Sequence, residues 1–365
     1  MAKMTDIQSI FKSLEERGLI DHGALSSKQK RVFKDIIRCR SRDSGFHSDI
    51  CEECGNKKIY YNSCKNPNCP KCQGIDRALW VDRQKYYALK IPYYHIVFTL
   101  PDTLNSLCLL SPAFMYDLLF ECASKTLIEL SSDQKYLGAR IGFTAVLHTW
   151  GSNLCLHPHL HCIVTSGGMD SNEKWKSKKE FFLPVRVVSS LFKGKYLSLL
   201  KERFIPKDED EFKRIIDKAY RKDWVVYIKE PLKNPDSVIE YLGRYTHRIA
   251  ISNARIISHE DGRVSFRYKD YKDDSKIKTM CLDELEFFRR YMMHITPKSF
   301  CRIRHYGLLS SAYKGKRFVR VREATDTPKK ESPYLRDPVS ILNRYFKRDI
   351  RICECCGCFR HPLLE

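Results

Sequence analysis

Ten of the sixteen cysteines of this 365-residue chain fall in two clusters, six between Cys39 and Cys72 and four between Cys353 and Cys358. No other feature restricts the fold as much, because a four-thiolate metal site fixes backbone segments that have no other reason to meet. The start of the chain has no apolar run ahead of a small-residue cleavage site, and no stretch approaches 18 apolar residues, so a cytosolic protein is expected. In that reducing compartment clustered thiols point to metal rather than to disulfides. Cys51-x-x-Cys54 and Cys69-x-x-Cys72 each form a bend where two thiolates converge, and the loop between them is expected to bring the pairs together around one zinc ion. Cys39, His47 and Cys64 remain as further ligands, one short of a second full site, with Asp43 or a distant residue to complete it. In the C-terminal cluster Cys353-x-x-Cys356 overlaps Cys355-x-x-Cys358, so only one pair forms a knuckle; Cys353 with Cys356 is the candidate. One or two structural zinc ions are expected. Lys71 lies on the rim of the first cluster, placed to touch phosphate.

Charge adds a partner. Sixty-five Lys and Arg against 44 Asp and Glu give a net +21, which attracts polyphosphate and makes binding salt-dependent. Ribosome-associated and membrane-surface proteins share such a charge, so it does not by itself single out DNA.

The apolar pattern predicts helices around Ile7–Leu19, after Ser26, over Ile75–Leu89 and over Pro112–Leu130. Strands are predicted at Tyr93–Leu100, Ile141–His148, His159–Thr165, Trp224–Lys229 and Ala254–Ser258. Arg263–Tyr268 and Lys276–Cys281 follow, with Asp261-Gly262 as a hairpin turn. Without a regular βαβ rhythm, the expected fold is α+β with a largely antiparallel sheet. Three consecutive regions are expected: a Cys-rich domain over 1–90, a catalytic domain over 91–300, and a basic segment over 301–365 carrying 15 Lys and Arg against seven acidic residues from Phe300 onward.

Two short stretches carry the chemistry. In a strand, His159 and His161 point the same way about 6 to 7 Å apart, the reach of one divalent cation. Burying two imidazoles side by side is costly unless their nitrogens are satisfied, and a shared cation does that. His157 is a candidate third ligand or substrate contact. In a helix, Tyr241 and Tyr245 present two phenols on one face, and Ser237 with Glu240 forms a capping box that starts the helix just before them. Val238, Leu242, Tyr245 and Ile249 also fit a packed stripe, so Tyr245 has a purely structural reading as well. Arg244, His247 and Arg248 follow, placing cationic groups near any bound phosphate.

The His159-Leu160-His161 element, the Tyr241-Leu-Gly-Arg-Tyr245 helix and the Cys-rich region ending at Gln73 resemble the rolling-circle, two-tyrosine HUH transposases of the insertion sequence 91 type. Arg302-Ile-Arg304-His-Tyr-Gly and the terminal cysteines are similar too, so the likeness runs along nearly the whole chain. It implies an HUH-endonuclease-like antiparallel sheet flanked by helices, a zinc-bearing N-terminal domain for DNA recognition, and cleavage of single-stranded DNA at insertion-sequence ends. It also implies that His159 and His161 hold Mg²⁺ or Mn²⁺, with His157, His247 or a distant Gln, Glu or Asp as third ligand. Tyr241 and Tyr245 would be the nucleophiles, with Arg244, Arg248, Lys71, Arg302 and Arg304 contacting DNA. No small-molecule substrate and no membrane partner are implied. Two other classes fit parts of the sequence: a zinc-dependent hydrolase using His157, His159 and His161, and a non-catalytic zinc DNA-binding regulator.

Overall fold

The computed structural model describes residues 5–178, 183–232, 239–240, 243, 249–271, 273–313, 316–329, 335–347 and 349–359. In chain order its elements are α1 (Ile7–Glu16), α2 (Ser27–Arg38), β1 (Phe46–Ile50), β2 (Lys57–Tyr61), α3 (Gln73–Tyr87), β3 (Tyr93–Thr99), α4 (Asn105–Leu110), α5 (Pro112–Ser132), β4 (Arg140–Trp150) and β5 (Leu156–Met169). There follow β6 (Trp175–Ser177), α6 (Val185–Arg203), α7 (Glu209–Arg221), β7 (Val226–Leu232), β8 (Ile256–Glu260), β9 (Arg263–Asp270), β10 (Lys276–Asp283), α8 (Glu284–Met293), β11 (Ile303–Gly307), α9 (Lys316–Ala324) and α10 (Pro338–Phe346). The chain folds into two compact units. Among the described residues no helix is long and apolar enough to cross a membrane.

The first unit gathers residues 1–83, 247–295 and 333–365, and the second 84–246 and 296–332. These units do not follow the three consecutive ranges expected from sequence. The segment around β8, β9 and β10 joins the cysteine-bearing unit, because helix α8 lays Phe288 and Tyr291 edge-on against Phe11 of α1, with ring centroids 5.1 and 5.2 Å apart. Both N-terminal helices start on capping boxes, Asp6 with Ser9 and Ser26 with Gln29, which satisfy backbone donors that a helix start leaves open. Asp261 and Gly262 both have positive φ, 49° and 71°, the backbone a two-residue hairpin of matching twist requires. Val264 and Phe266 of β9 are buried while Arg263 and Arg267 are exposed, the period of two of a half-covered sheet.

The second unit is built on an antiparallel sheet in the order β11-β4-β5-β3-β7, with β6 added to β5. One face carries Tyr94, Ile96 and Phe98 of β3, Phe143, Ala145 and Leu147 of β4, and Leu160, Cys162 and Val164 of β5, all buried. Helices α5 and α6 cover it, with Phe98 edge-on to Phe192 at 4.9 Å. Alternation sends the neighbouring residues, His95, Val146, His148, His159 and His161, to the opposite face. The α+β class and the antiparallel sheet expected from the sequence are therefore what the chain forms.

Candidate metal centre and zinc sites

Strand β5 lies between β3 and β4, and the register on each side decides what meets its histidines. His159 pairs with His148 of β4 and Thr99 of β3, and His161 pairs with Val146 and Val97. A slip of one residue would turn His148 into the helix-covered core. The strands are joined by the short turn Gly151–Leu154, closed by hydrogen bonds from Leu154 N–H to Gly151 O at 3.1 Å and from Gly151 N–H to Cys155 O at 2.9 Å, and a register shift between His148 and Trp150 then sets His148 against His159.

His148, His159 and His161 each turn a ring nitrogen toward one point, all three within 4.8 Å of one another. His159 Nε2 and His161 Nε2 are 3.1 Å apart. Metal–ligand distances of about 2.1 Å in an octahedron put adjacent ligands about 3.0 Å apart, so the two histidines fit neighbouring positions on one divalent ion. Their outer nitrogens are also fixed. His159 Nδ1 donates to the carbonyl of His157 at 2.7 Å, which leaves Nε2 with its lone pair facing the centre. His161 Nδ1 meets Nε2 of the buried His95 at 2.9 Å, the two rings stacked with centroids 5.1 Å apart. His148 is held from behind by Trp150, stacked at 4.6 Å. Burial pushes the His159 imidazole down to about 4, and burial together with the nearby Lys229 ammonium does the same to His95. Both are neutral at physiological pH, the form in which imidazole binds metal.

Strand spacing points to His159 and His161 and leaves the third ligand open. His157 is not part of the cluster: its ring is exposed, 5.1 Å from that of His159, and only its carbonyl is used. The reason is local, since the β4–β5 register shifts between His148 and Trp150, next to Pro158. A hydrolase built on His157, His159 and His161 therefore loses its ligand set. His247, Tyr241, Tyr245, Arg244 and Arg248 lie outside the described residues; of that stretch, Ile239, Glu240 and Gly243 are described, and Glu240 pairs with Lys85 at 2.6 Å.

Of the remaining basic candidates, Lys71 and Arg304 are engaged within the protein. Lys71 Nζ donates to Gln8 Oε1 at 2.5 Å and pairs with Asp6 at 2.9 Å, so its charge is answered internally rather than offered at a rim. Arg304 lies on the helix-covered face, 4.1 Å over the Phe120 ring and hydrogen-bonded to Asp117. Burial holds the Arg302 guanidinium below its usual range, and the Arg302 carbonyl accepts from Leu147 N–H at 2.8 Å. Their neighbour His305 faces the histidine side, its Nδ1 2.8 Å from Thr144 Oγ1.

The cysteines divide differently from the expected pairing. Cys39, Cys64, Cys69 and Cys72 form one group, and Cys51, Cys54, Cys353 and Cys356 form another. The two N-terminal Cys-x-x-Cys pairs belong to separate sites because each already has a closer partner: Cys72 meets Cys39 at 3.5 Å and Cys64 at 3.6 Å, whereas Cys51 meets Cys356 at 3.6 Å and Cys54 meets Cys353 at 3.8 Å. A Zn–S length of about 2.3 Å gives a tetrahedral edge of about 3.8 Å, which both sets match. Hydrogen bonds from Cys39, Cys64 and Cys69 draw the Cys72 thiol down, toward the thiolate that ligates zinc. Neither His47 nor Asp43 is in either group: His47 stacks on Tyr60 at 5.3 Å and faces Asn62, and Asp43 accepts from Ser41.

Comparison with known proteins fits both halves of this arrangement. A family model described as a transposase matches residues 142–317, and one described as a transposase zinc-binding domain matches residues 8–100. The chain is 37% identical over 368 residues to a protein described as a transposase, y4qJ of Sinorhizobium fredii (strain NBRC 101917 / NGR234), covering 96% of this chain and 92% of that one. It is 29% identical over 320 residues to the transposase for insertion sequence element IS801 of Pseudomonas savastanoi pv. phaseolicola, covering 84% of this chain and 76% of that one. No solved structure matches. A chain with a histidine-bearing antiparallel sheet and two four-cysteine groups that matches these families is thus a DNA-acting enzyme of the transposase class. The chain belongs to the insertion sequence 91 type of transposase, with structural zinc in its N-terminal domain.

Proposed function

We propose that the protein nicks and rejoins single-stranded DNA at insertion-sequence ends through 5′-phosphotyrosine links, the chemistry of rolling-circle transposition. The observation that supports this reading most directly is the convergence of His148, His159 and His161, their rings held from behind, on a point sized for one divalent ion. Mg²⁺ or Mn²⁺ held there would polarise a scissile phosphate and offset the charge that develops on it. Tyr241 or Tyr245 would attack the phosphorus through its phenol oxygen. The bond to the 3′ oxygen breaks, leaving a 3′-OH and a 5′-phosphate ester on the enzyme, so the phosphodiester energy is kept for rejoining. A phenol with a pKa near 10 is mostly protonated at neutral pH, so its proton must pass to a base as attack proceeds. The second tyrosine allows a second cleavage before the first link is resolved. The excess of basic residues supplies sequence-independent grip on the strand, and the zinc-bearing residues 1–90 are read as the DNA-recognition region. Work on chromosomal DNA would place the protein in the cytosol or nucleoid.

The test is incubation with labelled single-stranded DNA carrying an element end and Mg²⁺, followed by a denaturing gel. The proposal expects a protein–DNA adduct that survives denaturation. Free products without adduct would replace it with a hydrolase, and no metal-dependent change would leave a DNA-binding regulator.

A further inference from the structure

The zinc-binding match ends at residue 100 and the transposase match at residue 317, so neither reaches Cys353 or Cys356. Those two residues nevertheless complete a four-thiol group with Cys51 and Cys54. The two halves are built alike. In Cys51-Glu-Glu-Cys54-Gly55-Asn56, Gly55 N–H donates to Cys51 O at 2.8 Å and Cys51 N–H donates to Asn56 O at 3.0 Å. In Cys353-Glu-Cys-Cys356-Gly357-Cys358, Gly357 N–H donates to Cys353 O at 2.9 Å and Cys353 N–H donates to Cys358 O at 2.8 Å. Gly55 and Gly357 both have positive φ, 66° and 74°, a conformation that glycine adopts without strain. Each half is therefore a preformed knuckle with two sulfurs facing outward, and the glycine after Cys356 selects Cys353 with Cys356 over the overlapping Cys355 with Cys358.

The surroundings need this second site. Strands β1 and β2 form a two-stranded ribbon whose residues are all exposed or half-buried. A lone hairpin of that kind is marginal in water. Here Cys39 and Cys64 flank its base and Cys51 with Cys54 forms its tip. The C-terminal segment meets the same unit at a second point, where the buried Asp82 carboxylate accepts from Leu335 N–H at 2.5 Å, Tyr345 Oη at 2.9 Å and Arg344 at 3.0 Å. Lys58 of β2 pairs with Glu354 inside the C-terminal knuckle.

We infer that Cys51, Cys54, Cys353 and Cys356 bind a second zinc ion, and that this ion fastens the C-terminal segment to the tip of the β1–β2 ribbon. It closes a loop of roughly three hundred residues, the kind of long closure in which a metal clip constrains the unfolded chain most. Each set has two buried cysteines, but the other two are exposed in the clasp (Cys54 and Cys356) and only half-buried in the Cys39 site (Cys64 and Cys72), so the clasp gives up its zinc to a chelator before the Cys39 site does.

The test uses the full-length protein purified without chelator, with elemental analysis and thiol alkylation read by mass spectrometry. Two zinc ions per chain are expected, with Cys51, Cys54, Cys353 and Cys356 protected together while the exposed Cys355 reacts. Mild chelation should release one ion and expose those four as a set, with Cys39, Cys64, Cys69 and Cys72 still protected. The Cys353→Ser/Cys356→Ser variant should hold one zinc ion per chain. A single zinc ion in the wild type, free reaction of Cys353 and Cys356 at full zinc loading, or two ions in the double variant would each overturn the inference. The alkylation arm needs only wild-type protein, so a variant that fails to fold does not spare the proposal.

Discussion

His148 of β4 lies directly across the sheet from His159 of β5, ring centroids 5.4 Å apart, and that cross-strand pairing turns a two-histidine motif into a three-histidine centre. If the centre holds the catalytic ion, His148→Ala should abolish metal-dependent nicking as completely as His159→Ala or His161→Ala. Affinity for single-stranded DNA should stay near wild type in all three, because many Lys and Arg contacts to phosphate dominate binding. Nicking assays beside filter binding at fixed salt check this, and wild-type nicking by the His148 variant would remove it from the ligand set.

His95 meets the centre through His161 Nδ1, so its loss should act through ring orientation. Removing such an outer partner typically weakens metal affinity about 10- to 100-fold. His95→Ala should therefore raise the Mn²⁺ concentration needed for half-maximal nicking, with the rate recovering at saturating Mn²⁺. His95→Gln, which keeps a hydrogen-bonding group, should recover part of the affinity. Direct Mn²⁺ titration without DNA separates this from simple destabilisation.

The acid side of the stability profile follows from the same burial. His95 and His159 each have a folded-state value near 4 against about 6.5 unfolded. Between those values the unfolded chain binds protons that the folded chain refuses, so stability falls as pH is lowered through that window. In Mg²⁺- and Mn²⁺-free buffer, the Tm drop from pH 7.5 to pH 5 should be larger for wild type than for His95→Gln/His159→Gln. Equal drops would show that these two rings do not carry the effect.

Gly307 closes β11 with φ at +57°, and a Cβ there would lie 1.9 Å from the Ile141 carbonyl oxygen. Backbone cannot yield as a side-chain tip can. Gly307→Ala should cost on the order of 3 kcal/mol, read as an earlier denaturant midpoint, while Gly194→Ala in α6, where nothing lies within 4 Å, should be neutral or slightly stabilising.

The proposed division of labour between the two tyrosines predicts that Tyr241→Phe and Tyr245→Phe each remove one covalent transfer and that only the double variant forms no adduct. Phenylalanine keeps the ring and loses the attacking oxygen. Mass-spectrometric mapping of the DNA-linked peptide checks it: an adduct on Tyr241 alone would reduce the enzyme to one nucleophile and return Tyr245 to packing.

By itself the sequence determined what short spacing determines. Strand alternation placed His159 and His161 on one face, the Asp261-Gly262 pair defined a turn, Ser26 started α2, and each Cys-x-x-Cys marked a knuckle. All of these are settled by backbone geometry within a few residues. Helices α6 and α7 went unread, although Asp208 caps α7 ahead of three acidic residues in its first turn. Tertiary structure decided the rest. His148 lies in a strand visible from its pattern, yet only the β4–β5 register, with its shift between His148 and Trp150, puts it opposite His159 rather than one residue away on the other face. His95 reaches His161 because β3 pairs with the far side of β5, a neighbour relation that no local pattern encodes. The meeting of Cys353 and Cys356 with Cys51 and Cys54 is longer still in range: Gly357 picks the pair within the C-terminal cluster, but its place beside Cys51 and Cys54 comes with the docking of the C-terminal segment, which also meets Asp82, a product of the folded chain.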